Sequence, residues 1–244
     1  MDRTCGGYGA SRKTGSRGRY HGTLQHANET QSNMMRKYAF SWPVHRFGLL
    51  GLSGIAVFVS SIIVLHLTGT SNDWTHDYVS DLANEPFGWV FMGGTFVHGW
   101  GNLALTLGLR GALRPGRLRT CGMLLFGLAA AGLLLTALFP VDAPDQAPDV
   151  SGQIHRAAAS AAFALELAAL FVFSAAFGRQ GAWRRKRAVS LVLSVAAAMA
   201  LTGFLITIQL DIAPGLAERV ALAIFLVWEI WASVQLIRAT WISQ

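Results

Sequence analysis

Apolar residues fall into six runs, at about 47–69, 87–109, 120–139, 155–177, 188–210 and 216–238, and the segments between them carry most of the charge. Each run holds roughly 20 residues, enough to cross a ~30 Å hydrocarbon core as a helix rising ~1.5 Å per residue. The pattern predicts an all-α polytopic membrane protein. Its membrane part is a six-transmembrane-helix bundle over residues 47–240, preceded by a basic, largely disordered segment at 1–46.

Charge adds an orientation. All but two of the 20 Lys and Arg lie before the first run, in the second and fourth connections, or at Arg238. The two exceptions are Arg156 and Arg219. Connections one, three and five instead carry Asp73, Asp77, Asp81, Glu85, Asp142, Asp145, Asp149 and Asp211. The positive-inside rule therefore predicts both termini in the cytoplasm and the acidic connections outside, in the cell membrane. The formal charge of +7 would suggest nucleic acid in a soluble chain. Here it is spread over cytoplasmic loop ends, so the lipid bilayer is the expected partner and nucleic acid is not. Cys5 and Cys121 both map to the cytoplasmic side, where no disulfide is expected.

Residues 1–33 are rich in Gly, Ser, Arg, Thr and Asn and lack apolar periodicity, the composition of a disordered segment. Met34 and Met35 precede Arg36-Lys37, a natural basic flank, and leave open a later start of translation. The first apolar run is too long, and begins too far along the chain, for a cleaved signal peptide. Small residues line the second and fourth runs, among them Gly93, Gly94, Gly99, Gly101 and Ala157–Ala159, which lets helix backbones approach closely in lipid.

Three ionisable residues fall near mid-membrane: His98, Glu166 and Glu229. Charge is costly there and belongs in a protein interior. His155 and Glu166 are eleven residues apart, as are Glu218 and Glu229. At ~100° per residue each pair shares one helix face, ~16 Å apart in depth. Gly94, His98, Gly101 and Asn102 likewise share a side. Three polar stripes should then face one another, with the carboxyls protonated or paired with His98. They would act as interhelical hydrogen-bond glue or line a cavity for a solute, proton or lipid headgroup. Haem is disfavoured, because His98 has no histidine partner at its depth.

The outer boundary holds a second polar group: Ser80, Asp81, Asp142, His155, Glu218 and Arg219. Arg219 is expected to be its hub, since a guanidinium can hold two carboxylates in fixed geometry. Asp81 and Asp142 suit helix caps, or pairing with Arg219 to staple the loops. Hard oxygens with one imidazole are donors a divalent metal would take, although no H-x-x-x-H or H-E-x-x-H spacing is present. No other cofactor is expected. Ser80, His155 and an aspartate have the residue types of a hydrolase triad without a nucleophile elbow.

Four motifs recur in a known order: Ser80-Asp81-Leu82 after Tyr78, Phe139-Pro140-x-Asp142, Gly152-x-x-His155 and Gly215-Leu216-x-Glu218-Arg219. Together they resemble the domain-of-unknown-function 998 family of six-helix prokaryotic membrane proteins, over about residues 47–240. Glu85 departs from the small residues common at that position. The resemblance implies the fold and topology and brings no established activity. Two function classes fit these residues. One is a membrane protein whose outward-facing polar cavity binds or moves a small solute or lipid headgroup. The other is a membrane-embedded hydrolase or transferase, metal-dependent or not, acting at the outer leaflet. Substrate and oligomeric state have no signature in the chain.

Overall fold

The computed structural model describes residues 44–68, 71–143, 147 and 149–239. These all belong to one unit, Trp42–Gln244. The expected disorder of 1–33, Cys5 and Asp145 lie outside the described residues. Six long helices are present among the described residues: α1 (Val44–Leu67), α2 (Gly88–Ala112), α3 (Arg117–Leu138), α4 (Val150–Gly178), α6 (Arg187–Leu210) and α7 (Pro214–Ala239). A single-turn helix, α5 (Gly181–Arg184), precedes α6, and a 3-10 segment, Val79–Asn84, lies in the α1–α2 connection.

Helix ends differ from run ends for local reasons. α4 starts at Val150, five residues ahead of its apolar run, because the Asp149 carboxylate accepts the Gly152 N–H at 2.8 Å and caps a polar first turn. α7 begins on Pro214, whose missing N–H costs nothing in a first turn. Between α6 and α7 the chain reverses through Asp211 (φ 53°) and Ala213 (φ 49°), the two non-glycine residues in the left-handed region among those described.

α1, α3, α4, α6 and α7 have the length and hydropathy to cross a membrane, so this is a multi-pass helical membrane protein. α2 is equally long, 25 residues, but is not among the five. Its polar His98 and Asn102 and its glycines dilute the apolar residues, and the count of six spans therefore rests on the sequence pattern alone. Most of those diluting residues turn inward: Gly94, His98, Gly101 and Asn102 are all buried.

The six helices close a ring in which α1 packs on α2, α2 on α3, α3 on α4, α4 on α6, α6 on α7 and α7 on α1; α2 and α7 also touch across it. Lipid tails give no hydrophobic incentive for this association, so close backbone contact has to supply it. At the α1–α2 crossing a Cβ on Gly54 would lie 3.0 Å from the Gly101 Cα, a spacing that a larger residue would force apart. One half of the ring is filled by aromatic rings. Phe126, Phe173 and Trp228 pack with centroids 5.9 to 6.2 Å apart. Phe177 stacks on Trp183 of α5 at 4.8 Å, closing the end that carries the basic connections. The polar interior lies in the other half.

Candidate functional site

The site is roofed by the α1–α2 connection, which is fastened to the first turns of α7. The Glu218 carboxylate accepts the Val79 N–H at 2.6 Å, the first residue of the 3-10 segment. Arg219 Nη1 donates to the carbonyls of Asp77 (2.7 Å) and Gly215 (3.1 Å), and its Nη2 donates to Asn72 Oδ1 (2.8 Å). Leu216 N–H donates to the Thr75 carbonyl at 3.0 Å. This approach needs a glycine at 215, because a Cβ there would collide with the Asp77 carbonyl.

Within the connection Asp73 organises a tight turn, accepting from the Thr75 hydroxyl (2.7 Å) and the Thr75 N–H (2.9 Å). Those donors, the hydroxyl foremost, hold its carboxyl down at about 2. Asp81 accepts the Tyr78 N–H at 2.8 Å, yet burial outweighs that bond and keeps its carboxyl above the ordinary value.

The α3–α4 connection forms the second wall. His155 is buried, and its Nδ1 bonds the Phe139 carbonyl at 2.8 Å, which leaves Nε2 free of that contact. Asp142 accepts the Asp149 N–H (3.0 Å) and pairs with Arg156 (2.5 Å). Those two donors, in that order, hold it below the usual carboxylate range.

Beneath the roof is a cavity of about 80 Å³ between α2, α3, α4 and α7. Ser80, His155 and Glu218 line its upper part, and His98, Glu166 and Glu229 the lower. Glu229, fully buried, hydrogen-bonds His98 Nε2 (2.7 Å) and accepts from Asn102 Nδ2 (2.5 Å). Phe58 stacks on the His98 ring at 4.9 Å and fixes its plane. Glu166 reaches Glu229 from α4, but its Oε1 has no hydrogen-bond partner among the described residues; neither do His98 Nδ1 and Asn102 Oδ1. Buried polar atoms left in this state are few in folded proteins.

Six of the nine residues singled out from the sequence thus line one cavity; the eleven-residue spacings bring four of them there, and Ser80 and His98 arrive from the α1–α2 connection and α2. The other three stand apart. Asp81 lines a hollow on the roof with Asn72, Asp77 and Glu85. Asp142 is occupied by Asp149 and Arg156. Arg219 does not bridge two carboxylates: its partners are one amide oxygen and two carbonyls, because the loop backbone reaches the guanidinium before any acid does. It pairs with neither Asp81 nor Asp142, and the cap of α4 is Asp149 instead of Asp142.

His98 pairs with Glu229 alone. A hydrolase triad is not assembled, since Ser80 makes no hydrogen bond to His155 and that imidazole is oriented by a carbonyl instead of an acid. Among the described residues no three His, Cys, Asp or Glu side chains converge at metal-binding spacing. Sequence reasoning passed over Asn102 as a partner of Glu229, though it lies one helical turn from His98 on the same face.

No curated protein and no solved structure matches the chain. The model of a family described as "Protein of unknown function (DUF998)" matches residues 52–235, from the first turns of α1 to the last turns of α7, and so takes in the cavity and its roof. The chain belongs to the DUF998 family of proteins of unknown function.

Proposed function

We propose that this protein binds a small solute inside the membrane, in the cavity between α2, α3, α4 and α7. In this reading the chain crosses the cell membrane six times, α2 included, with both termini in the cytoplasm and the roof facing outward. The observation that carries the reading is the buried Glu166 Oε1, on the wall of a cavity of about 80 Å³ with no donor among the described residues to meet it. A buried acceptor without a partner costs ~1–3 kcal/mol, and a bound solute relieves that cost. The volume favours a solute over a lipid headgroup: it holds roughly five waters at ~15 Å³ of probe volume each, or a molecule of a few non-hydrogen atoms. The aromatic filling of the other half supports binding at a closed-ended site over a continuous pore.

The test is access. Ala159 lines the cavity one turn below His155. With Cys5 and Cys121 replaced by serine, Ala159→Cys in intact cells should react with a small membrane-impermeant methanethiosulfonate, while Arg184→Cys should not. No reaction at residue 159 from either side of the membrane refutes a solute-accessible cavity; reaction from the cytoplasmic side alone refutes its outward entry.

A further inference from the structure

Resting on the solute-binding reading, we infer that the solute is a small primary ammonium ion, an amine bearing one short alkyl group. The lower cavity is rich in acceptors and short of donors. Among the described residues Glu166 Oε1 has no donor. The Thr95 hydroxyl donates to the Phe91 carbonyl at 3.0 Å and the Thr136 hydroxyl to the Leu133 carbonyl at 2.8 Å. Both protons are therefore spent on backbone, and both oxygens remain acceptors. His98 Nε2 and Asn102 Nδ2 are spent on Glu229, which leaves His98 Nδ1 an acceptor in the neutral ring, and among the described residues no Lys or Arg lines the cavity. A ligand that fits must bring its own N–H groups.

It must also bring positive charge. Two carboxyls, Glu166 and Glu229, face each other in the lower cavity, and even with one proton shared between them the pair carries a negative charge that a monocation balances. An anion finds no cationic side chain here. The walls are completed by Phe58, Phe91, Phe163 and Phe225, aromatic rings that suit an ammonium and give an alkyl group an apolar contact, although one face of Phe58 is already taken by the His98 ring. A bare alkali ion wants a shell of oxygens, which four phenyl walls do not supply. An alkylammonium uses both kinds of wall, three N–H donors on the oxygens and a methyl on the rings.

The experiment is thermal unfolding of the purified full-length chain in detergent, with methylammonium chloride as the probe. A ligand of so few atoms binds at best with millimolar dissociation constants, so the probe is used at about 100 mM. Sodium chloride at equal ionic strength and methanol at equal concentration are the comparisons. The expected result is a rise in Tm of a few degrees with methylammonium alone, lost in Glu166→Gln, which keeps the shape and removes one of the two carboxyls. Ala159→Leu, which fills the cavity and leaves the carboxyls untouched, should lose the rise as well and serves if Glu166→Gln fails to fold.

An equal rise with sodium or methanol overturns the inference, as does a rise that survives Glu166→Gln or Ala159→Leu. No rise with methylammonium also overturns it. The labelling of Ala159→Cys then separates two failures: a reactive cysteine means only the cation assignment is wrong, and an unreactive one means the cavity reading has failed beneath it.

Discussion

Replacing Arg219 with alanine should loosen the roof of the cavity far more than replacing Arg156, the other arginine at this end of the bundle. Arg219 is partly buried and makes three hydrogen bonds, two of which, to Asp77 and Asn72, join α7 to a loop more than 140 residues earlier in the chain. A hydrogen bond from a charged donor is worth ~1.5–3 kcal/mol, but the bond to Gly215 stays within α7 and the freed loop oxygens regain some water. The two cross-chain bonds then set a loss of about 2–4 kcal/mol. At ~2–4 °C per kcal/mol for a domain of this size, Tm should fall by roughly 4–16 °C.

Arg156 has a side chain 49% exposed and a single partner, Asp142, which keeps the Asp149 N–H after the change. Pairs of that kind are worth ~0.2–1 kcal/mol, so its loss should stay under ~4 °C. Thermal unfolding followed by tryptophan fluorescence in one detergent reads both variants. Asn72→Ala, removing one of the three partners, should fall between them. Equal Tm losses for Arg219→Ala and Arg156→Ala would show that the latch does not hold the loop and that the roof is fixed by something else.

Three further outcomes follow from particular contacts. His98→Ala strands a buried carboxyl that keeps only Asn102, and should cost about 3–5 kcal/mol; denaturation that matches wild type would mean Glu229 is not buried as described. Ala213→Gly relieves a non-glycine residue at φ 49° and should raise stability by roughly 1 kcal/mol, read as a Tm increase of a few degrees. Acid should weaken the roof. Asp73 sits at about 2 when folded, below its ordinary 3.8, and Asp142 is lowered too, so what these carboxylates contribute is complete above about pH 4 and disappears as pH falls towards 2. Tm measured across that window should drop, and less steeply in Asp73→Asn; an unchanged slope would mean the Thr75 donors do not stabilise the turn.

The helical membrane architecture was legible in the sequence because lipid imposes a long apolar run on every helix it surrounds. The exception is instructive. α2 reads as an apolar run by eye, yet His98, Asn102 and seven glycines place it below its five companions. The shared polar faces were legible from period. Glu166 and Glu229 recur eleven residues after His155 and Glu218, and that spacing alone puts each pair on one face.

The hydrogen-bond partners were not legible. Side-chain chemistry suggested that Arg219 would seek carboxylates, but backbone carbonyls of Asp77 and Gly215 carry no sequence identity and lie closer. The same holds for Glu218, whose partner is the backbone N–H of Val79. Asp149 took the cap expected of Asp142 because α4 begins at Val150, which makes Asp149 the residue before its first turn.

The central claim is that Glu166, Glu229 and His98 converge on a site occupied by something other than protein. An experimental structure in lipid, at a resolution that shows ordered water, tests it most directly. The account predicts density within hydrogen-bond distance of Glu166 Oε1, between α2, α4 and α7, with His98 and Asn102 on Glu229. Carboxyls of Glu166 and Glu229 turned to lipid, or side chains packed through the cavity with no density in it, would contradict the account.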